Sequence, residues 1–274
     1  MKMLRNLFVG IMLLSTAHAD DFFSLSSGLD YSSGKYGNAR STEIWYLPVT
    51  GKYVMDDWLL KLTVPYISIS GPGGVVQGMG RTGMMSASSP GGGMAGAMGM
   101  GGGSTPSGSS TTSSTSNSGL GDVVASIGHK IYSNAMFECD LVGNIKFGTA
   151  DANLGLGTGQ NDYSMQLDAY YNLSESMLFS TIGYKKFNSQ SGVILNDILY
   201  GQLGFGTSLS DSTLTGVSMN LAQRASTLGA DQFDASVYVS KKLDANFKVT
   251  INLLKGFADG SPDFGGSVII SKIY

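Results

Sequence analysis

The chain has 274 residues, a formal net charge of −3 and only 14% charged residues. The slight negative charge excludes a protein that holds nucleic acid through a basic surface, and the single cysteine, Cys139, excludes an intramolecular disulfide framework. The 39 glycines stand beside 12 phenylalanines and 13 tyrosines, a mixture typical of membrane-spanning β-strands with one face toward lipid and the other toward water.

The first nineteen residues have the pattern of an export signal. Lys2 and Arg5 precede an apolar segment over residues 7–14, and Ala17-His18-Ala19 then offers small residues for a signal peptidase. The alternative is an uncleaved anchor, but the apolar segment is far shorter than the ~20 residues of a transmembrane helix. We therefore predict a signal peptide over residues 1–19 and a mature chain over 20–274, in which no apolar segment reaches that length either.

Alternation of apolar and polar residues dominates the mature chain and predicts β-strands. It is clearest over residues 162–173, and the same pattern recurs over 137–147, 232–240 and 247–254. Weaker segments with the same period are 22–32, 40–53, 57–70, 120–132, 176–187, 195–209, 212–224 and 263–274. These predict an all-β fold, a transmembrane antiparallel up-and-down β-barrel of about 12 strands in the bacterial outer membrane. Short and longer connections alternate along the chain, as periplasmic turns and extracellular loops do in such barrels.

A long insertion over residues 71–119 is predicted to be an extracellular loop. Residues 75–118 are rich in Gly, Ser and Thr, so they cannot bury a core and are expected to be disordered. Six methionines lie here: Met79, Met84, Met85, Met94, Met98 and Met100. Thioether capture of a soft ion such as Cu(I) is one interpretation. The favoured interpretation is a mildly apolar loop that drapes over the barrel mouth and supplies any gate.

Aromatic residues mark both ends of several predicted strands. The pairs are Phe137 and Phe147, Tyr163 and Tyr171, Phe247 and Phe257, and Phe264 and Tyr274, with Trp58 and Phe23 joining the periplasmic belt. Ten residues of a tilted strand cover about 25 Å, the height of an outer-membrane apolar band. A soluble β-sandwich with aromatic strand ends is the alternative. The terminal Tyr274, with apolar residues alternating before it, resembles the signal read by the barrel-assembly machinery, a predicted partner.

Three stretches together resemble one known family. They are Val64-Pro-Tyr-Ile-Ser-Ile-Ser-Gly-Pro-Gly-Gly74, then Gly119-Leu-Gly-Asp122, then Ile145-Lys-Phe-Gly-Thr-Ala-Asp151 leading to Gly155-Leu-Gly-Thr-Gly-Gln-Asn-Asp-Tyr163. They resemble the outer-membrane transporter-like family named for the meta-pathway of phenol degradation. The resemblance spans most of the mature chain, and the low-complexity insertion between the first two stretches departs from it. It implies a barrel linked to passage of aromatic or other apolar small molecules.

Catalysis finds little support in the sequence, and no enzyme activity or cofactor is predicted. His129 is the one histidine of the mature chain, and Ser126 lies three positions away, on the opposite face of the same predicted strand. A nucleophile and its base must share a face. The Gly155-x-Gly157-x-Gly159 pattern lacks the final glycine of a dinucleotide fingerprint and is interpreted as a loop.

The polar faces of the predicted strands would line the barrel interior. We predict a solute path along these side chains: Asp140, Asn144, Lys146, Asp162, Gln166, Asp168, Tyr170, Tyr238, Lys248 and Asn252. Mixed charge with aromatic rings suits a narrow, water-lined passage that tolerates amphipathic solutes better than a strongly ion-selective pore. Together with what the resemblance implies, this predicts passage of small apolar or aromatic compounds without energy input. The alternative is that these residues pair with each other and fill the barrel, which would then be a closed structural or surface-binding protein. Outer-membrane lipid is the other expected partner.

Overall fold

The structure is a computed structural model that describes residues 21–36, 39–71, 75–76, 103–104, 115–188, 195–226 and 229–274. The predicted signal peptide and most of the 71–119 insertion, including its six methionines, lie outside the described residues. No helix in the described part of the chain is both long and apolar enough to cross a membrane.

Fifteen strands and one short 3₁₀ helix are formed by the described residues. In chain order they are β1 Phe22–Gly34, β2 Thr42–Met55, β3 Trp58–Gly71, β4 Val75–Val76, β5 Gly103–Ser104, β6 Thr115–Leu120, β7 Val124–Ser133, β8 Phe137–Lys146, the 3₁₀ helix Ala152–Leu154, β9 Asp162–Leu173, β10 Ser176–Lys186, β11 Ile198–Ser210, β12 Thr213–Ala222, β13 Gln232–Lys242, β14 Phe247–Gly256 and β15 Phe264–Ile273.

These strands close into one antiparallel barrel. From β7 to β15 each strand pairs with its chain neighbour, and β1 pairs with both β15 and β2, which in turn pairs with β3. Strands β6 and β7 both pair with β3 and together make a single barrel strand, because the Gly121 amide continues the ladder to the Pro65 carbonyl at 2.9 Å. The predicted barrel of twelve strands is thus confirmed, and closure leaves the ladder without open edges along its length.

The structure differs from the sequence prediction inside the insertion. Residues 115–118 were expected to be disordered, but they belong to β6, which pairs with β3 as far as Gly71. Val75–Val76 also pairs with Gly103–Ser104. The reason is that strand pairing needs only backbone groups. Ser and Asn at these positions add contacts of their own, as when the Tyr66 hydroxyl donates to Ser118 Oγ at 3.2 Å.

The two faces of the wall have opposite chemistry. Every barrel strand alternates exposed apolar side chains with buried ones, as in β9, where Met165 is 60% exposed and Gln166 is 2% exposed. The exposed set consists of Leu, Ile, Val, Met and aromatic residues, whereas the buried set is rich in Asp, Asn, Gln, Lys, Ser and Thr. A soluble sandwich would bury the apolar face, so this inversion excludes that alternative.

Aromatic belts flank the exposed apolar band. At the periplasmic end, Phe23 and Tyr274 lie with ring centroids 5.8 Å apart, and Trp58 stacks on His129 at 4.3 Å. At the extracellular end, Tyr31 and Trp45 are 4.6 Å apart. The Lys272 ammonium lies over the rings of Phe247 and Tyr274, at the membrane boundary, where a long cationic side chain can reach the headgroups.

Candidate functional site

All ten predicted path residues lie on the inner face of the barrel. Nine are buried, among them Asp140 and Asp168 at 0% exposure, and Lys248 is half-buried. Their inward position follows from the period of two along β8, β9, β13 and β14. They divide into a network in the middle of the wall and a charged cluster near the extracellular mouth.

The network in the middle of the wall centres on Asp168. Its two carboxylate oxygens each accept a hydrogen bond from Gln166 Nε2 at 2.9 Å, and the Thr181 hydroxyl donates to Oδ1. The Tyr200 hydroxyl donates to Gln166 Oε1 at 2.8 Å. This network therefore joins β9, β10 and β11 from inside, and satisfied buried hydrogen bonds of this kind hold side chains in one arrangement.

The charged cluster near the mouth centres on Lys146. Its ammonium contacts Asp122 Oδ2 at 2.6 Å and Asp162 Oδ2 at 2.9 Å, and it also donates to Thr158 Oγ1 at 3.2 Å. The other oxygen of Asp122 accepts the Ala150 amide at 2.9 Å. Because Ala150 and Thr158 belong to the segment between β8 and β9, the cluster fixes that segment to the wall.

This segment, residues 147–161, folds into the barrel mouth, and we name it the inner loop. Leu156 is 1% exposed and packs in a buried cluster with Tyr46, Ile67, Ile69 and Ala150. The side chain of Asn117 on β6 also contacts the loop, because its Nδ2 donates to the Leu154 carbonyl at 2.8 Å. Gly155 and Gly159 have φ values of 68° and 66°, which glycine adopts without steric cost.

The three stretches that carry the family resemblance meet at this place. The first supplies Ile67 and Ile69, the second supplies Asp122, and the third supplies Lys146 and Leu156. Sequence reasoning found Lys146 and Asp162 by their inward phase but missed Asp122 and Leu156. Both lie outside the regular alternation, and the motif resemblance was the only signal that could have found them.

Aromatic rings line the inner wall from β9 to β13. Three of them lie directly opposite a glycine of the neighbouring strand, an arrangement we call ring-over-glycine pairs: Phe179 opposite Gly204, Tyr200 opposite Gly183 and Tyr238 opposite Gly216. A Cβ at any of these glycines would overlap the ring. The rings therefore lie against the wall. Those of Phe179 and Tyr238 form an apolar strip with Tyr170, Leu214 and Met177 inside an otherwise polar lumen, whereas Tyr200 belongs to a separate buried cluster.

The remaining candidates from the sequence lie apart from this interior. His129 lies on the outer face against Trp58, whereas Ser126 is inside and 6% exposed, so the two do not form a catalytic pair. Cys139 is a free, half-buried thiol in the outward phase of β8. Within the described ranges, no group of three or more His, Cys, Asp or Glu side chains could hold a metal ion.

Comparisons with known proteins support the fold but assign the chain to no sequence family. No protein-family model and no curated protein matches the chain. Among solved structures, an outer membrane channel from Pseudomonas putida F1 is similar with a TM-score of 0.66 and 11% identity, over 92% of this chain and 95% of that one. KdgM porin is similar with a TM-score of 0.50 and 10% identity, over 91% of this chain and 98% of that one.

These likenesses, at such low identity, show the barrel fold alone. The location follows from the molecule itself, because a closed barrel with a continuous exposed apolar band between two aromatic belts is stable only in a bilayer. The chain is a twelve-stranded β-barrel of the bacterial outer membrane.

Proposed function

We propose that this barrel is an outer-membrane channel through which small apolar or aromatic compounds pass without energy input. The observation that carries the proposal is the interior, where an apolar strip of rings runs beside a polar wall, below a mouth covered by one short loop. Rings held against the wall by glycines take up less of the lumen than they otherwise would, and they offer contact to a flat solute. The similar structure from Pseudomonas putida is itself named an outer membrane channel.

The inner loop suits a gate in this proposal. Its apolar contacts with the wall are made by Leu156 and the smaller Ala150, and its main polar contacts are those of the Lys146 cluster. A short segment with few anchors can leave its site without unfolding the barrel. The 71–119 insertion was expected to supply any gate, and its role stays a prediction.

The second candidate is a closed barrel that serves structure or surface binding. It is favoured by one observation, the near-zero exposure of Asp140 and Asp168, which means that side chains fill the middle of the lumen in this state. Filled interiors are found in small barrels, and twelve strands lie between filled and open sizes.

Conductance of the purified protein in planar bilayers separates the two candidates. A channel gives discrete current steps, and liposome swelling with phenols, sugars and fatty acids then ranks the solutes, with phenols expected to enter fastest. Protein that is folded by its gel mobility but gives neither current nor swelling would leave the closed barrel as the function.

We also infer that the barrel-assembly machinery binds the last strand. Tyr274 is 61% exposed at the periplasmic end, and Ile270 and Val268 before it face outward. Tyr274→Ala should lower the amount of folded barrel in the outer membrane of cells. Refolding of the same variant in detergent should be unchanged, because only assembly in cells needs the machinery.

A further inference from the structure

We propose that the permeating solutes are anions, namely small apolar or aromatic compounds that carry a carboxylate. This inference rests on the proposed channel function and names its substrate class. The sequence showed an interior of mixed charge, and in the structure four inward lysines of β2, β3, β13 and β14 lie on other strands than Asp140 and Asp168.

Four inward lysines form what we call the lysine wall, in the periplasmic half of the barrel. Lys52 on β2 lies directly opposite Lys61 on β3, and Lys242 on β13 lies directly opposite Lys248 on β14. Between the two couples, the inward partners on β15 and β1 are Ser271 and Ser24, which carry no charge. Like charges directly opposite each other on neighbouring strands repel one another, and the two couples concentrate positive charge on this side of the lumen.

Carboxylates at this level lie on a different part of the wall. Asp140 on β8 is near enough to interact electrostatically with Lys52, and Asp168 on β9 with Lys61. Asp168 already accepts hydrogen bonds from Gln166 and Thr181. In the described part of the chain, no ion pair joins Lys52 or Lys61 to a carboxylate.

The sum of inward charges in this half is positive. The five lysines are Lys52, Lys61, Lys130, Lys242 and Lys248, and the three inward acids are Glu138, Asp140 and Asp168. The acids of the periplasmic turns, Asp56, Asp57, Glu175, Asp211 and Asp244, are exposed at the rim. Water screens them there, whereas charges along a narrow lumen with low-dielectric walls act at full strength on a passing ion.

Lys185 supplies a second, independent observation near the extracellular mouth. This inward residue of β10 is 1% exposed, and its Nζ has no hydrogen-bond partner among the described residues. The ammonium lies 4.3 Å from the centroid of the Phe187 ring. On one side of it is a buried apolar cluster: Phe187, Leu195, Ile198, Tyr200, Ala222 and Ala225. The carboxylates of Asp162 and Asp122 are near enough to act on the ammonium, but both contact Lys146.

An ammonium buried without an acceptor is costly unless a partner is supplied. A ligand with a carboxylate beside a flat apolar body fits this place, because the carboxylate can accept from Lys185 while the body packs on the apolar cluster. The same carboxylate is then attracted by the lysine wall at the periplasmic exit. The two features lie at opposite ends of the lumen and select the same chemistry.

The test is the reversal potential of the full-length mature protein in planar bilayers. A potassium chloride gradient gives the sign of selectivity, and replacing chloride by benzoate, or potassium by benzyltrimethylammonium, compares two ions with the same ring. We expect anion selectivity and a benzoate permeability about tenfold above that of benzyltrimethylammonium.

Two sets of variants locate the effect. Lys52→Gln with Lys248→Gln should shift the reversal potential toward cation selectivity, and Lys185→Met should lower benzoate permeability relative to chloride. The matched controls are Lys186→Met and Lys255→Gln, whose side chains are exposed in the outward phase of β10 and β14. These controls should behave as the unmodified protein.

The outcomes separate this inference from the channel itself. A folded protein without current in any salt overturns the proposed function. A conducting protein that passes benzyltrimethylammonium as well as benzoate overturns only the inference, and the wild-type measurement alone decides this even where a variant fails to fold. Charge-preserving Lys52→Arg with Lys248→Arg should keep anion selectivity; its loss would contradict the electrostatic origin.

Discussion

The glycines of the inner wall determine how much of the lumen the aromatic rings occupy. Each ring-over-glycine pair places a Phe or Tyr ring flat on the neighbouring strand because that strand offers no Cβ. A side chain there would push the ring toward the barrel axis. Glycine on its own weakens a strand slightly, but in these pairs it lets the ring lie close to the backbone of the neighbouring strand.

Gly204→Ala should therefore destabilise the barrel. The added Cβ overlaps the Phe179 ring, which must leave its packed position, and overpacking of this kind costs about 1–3 kcal/mol. Urea unfolding in lipid vesicles measures the loss. The control is Gly143→Ala on the outer face, where the nearest atom to a Cβ is 3.9 Å away. Equal stability of the two variants would show that the Phe179 ring moves freely.

The inner loop is the element on which access to the lumen depends. Leu156 is its one large buried apolar side chain, beside the smaller Ala150, and in the adjoining charged cluster one lysine contacts two carboxylates. Its remaining contacts with the wall are single hydrogen bonds, such as that from the Thr149 hydroxyl to the Gly121 carbonyl at 3.1 Å. A segment held in this way is stable as long as its apolar anchor is present.

Leu156→Ala should open the mouth. Truncating a buried leucine costs about 2 kcal/mol or more, which shifts the balance between docked and undocked loop by more than about tenfold. Single-channel current and swelling rate should both rise, while the barrel stays folded. Leu154→Ala is the control, since Leu154 belongs to the same loop and is 42% exposed. If both variants conduct as the parent does, the inner loop is not a gate.

The strands could be predicted from the sequence, whereas their register against each other could not. Alternation such as Tyr163, Met165 and Leu167 against Gln166 and Asp168 depends only on the geometry of one strand. Which glycine faces which ring depends on register between strands, and a single strand carries no record of it.

The candidate site was likewise found only in part. Inward phase was enough to place Lys146, Asp162 and Asp168 in the interior. Leu156 lies in an irregular loop where phase has no meaning, and Lys185 lies inward in a segment that was predicted as a strand but not searched for charge. The separation of lysines from acids required the closed barrel, because only closure determines which strands face each other.

The molecule as a whole is an inverted globule, apolar outside and polar inside. The exposed band includes Leu, Ile, Val and Met from all twelve barrel strands, while charged groups lie in the lumen, in the turns and loops, or at the ends of strands, as Lys186 and Lys255 do. Lipid replaces the hydrophobic core as the surrounding for these side chains. The effect of an outward-facing residue on the stability of the barrel therefore depends on how deep in the membrane that residue lies.

A charge on the outer face should have an effect that varies with depth. Val237 lies in the middle of β13 and is 52% exposed, so Val237→Lys should cost about 2–4 kcal/mol. Leu243, in the turn that follows β13, is 61% exposed, and Leu243→Lys should cost only about 0–1 kcal/mol. Urea titration of both variants in vesicles gives the difference. Similar losses of stability in the two variants would contradict a position of Val237 in the membrane core and of Leu243 at its boundary.

The pairing of β1 with β15, from Ser24 opposite Ile273 to Ser33 opposite Phe264, has a consequence for biosynthesis. The first strand has both of its partners only when the last strand is present. A sheet that lacks the last strand has two unpaired edges, each a template for joining another incomplete copy. A frameshift that removes the last strand would therefore yield a chain that aggregates, rather than a slightly shorter working barrel. Periplasmic proteases would degrade that chain.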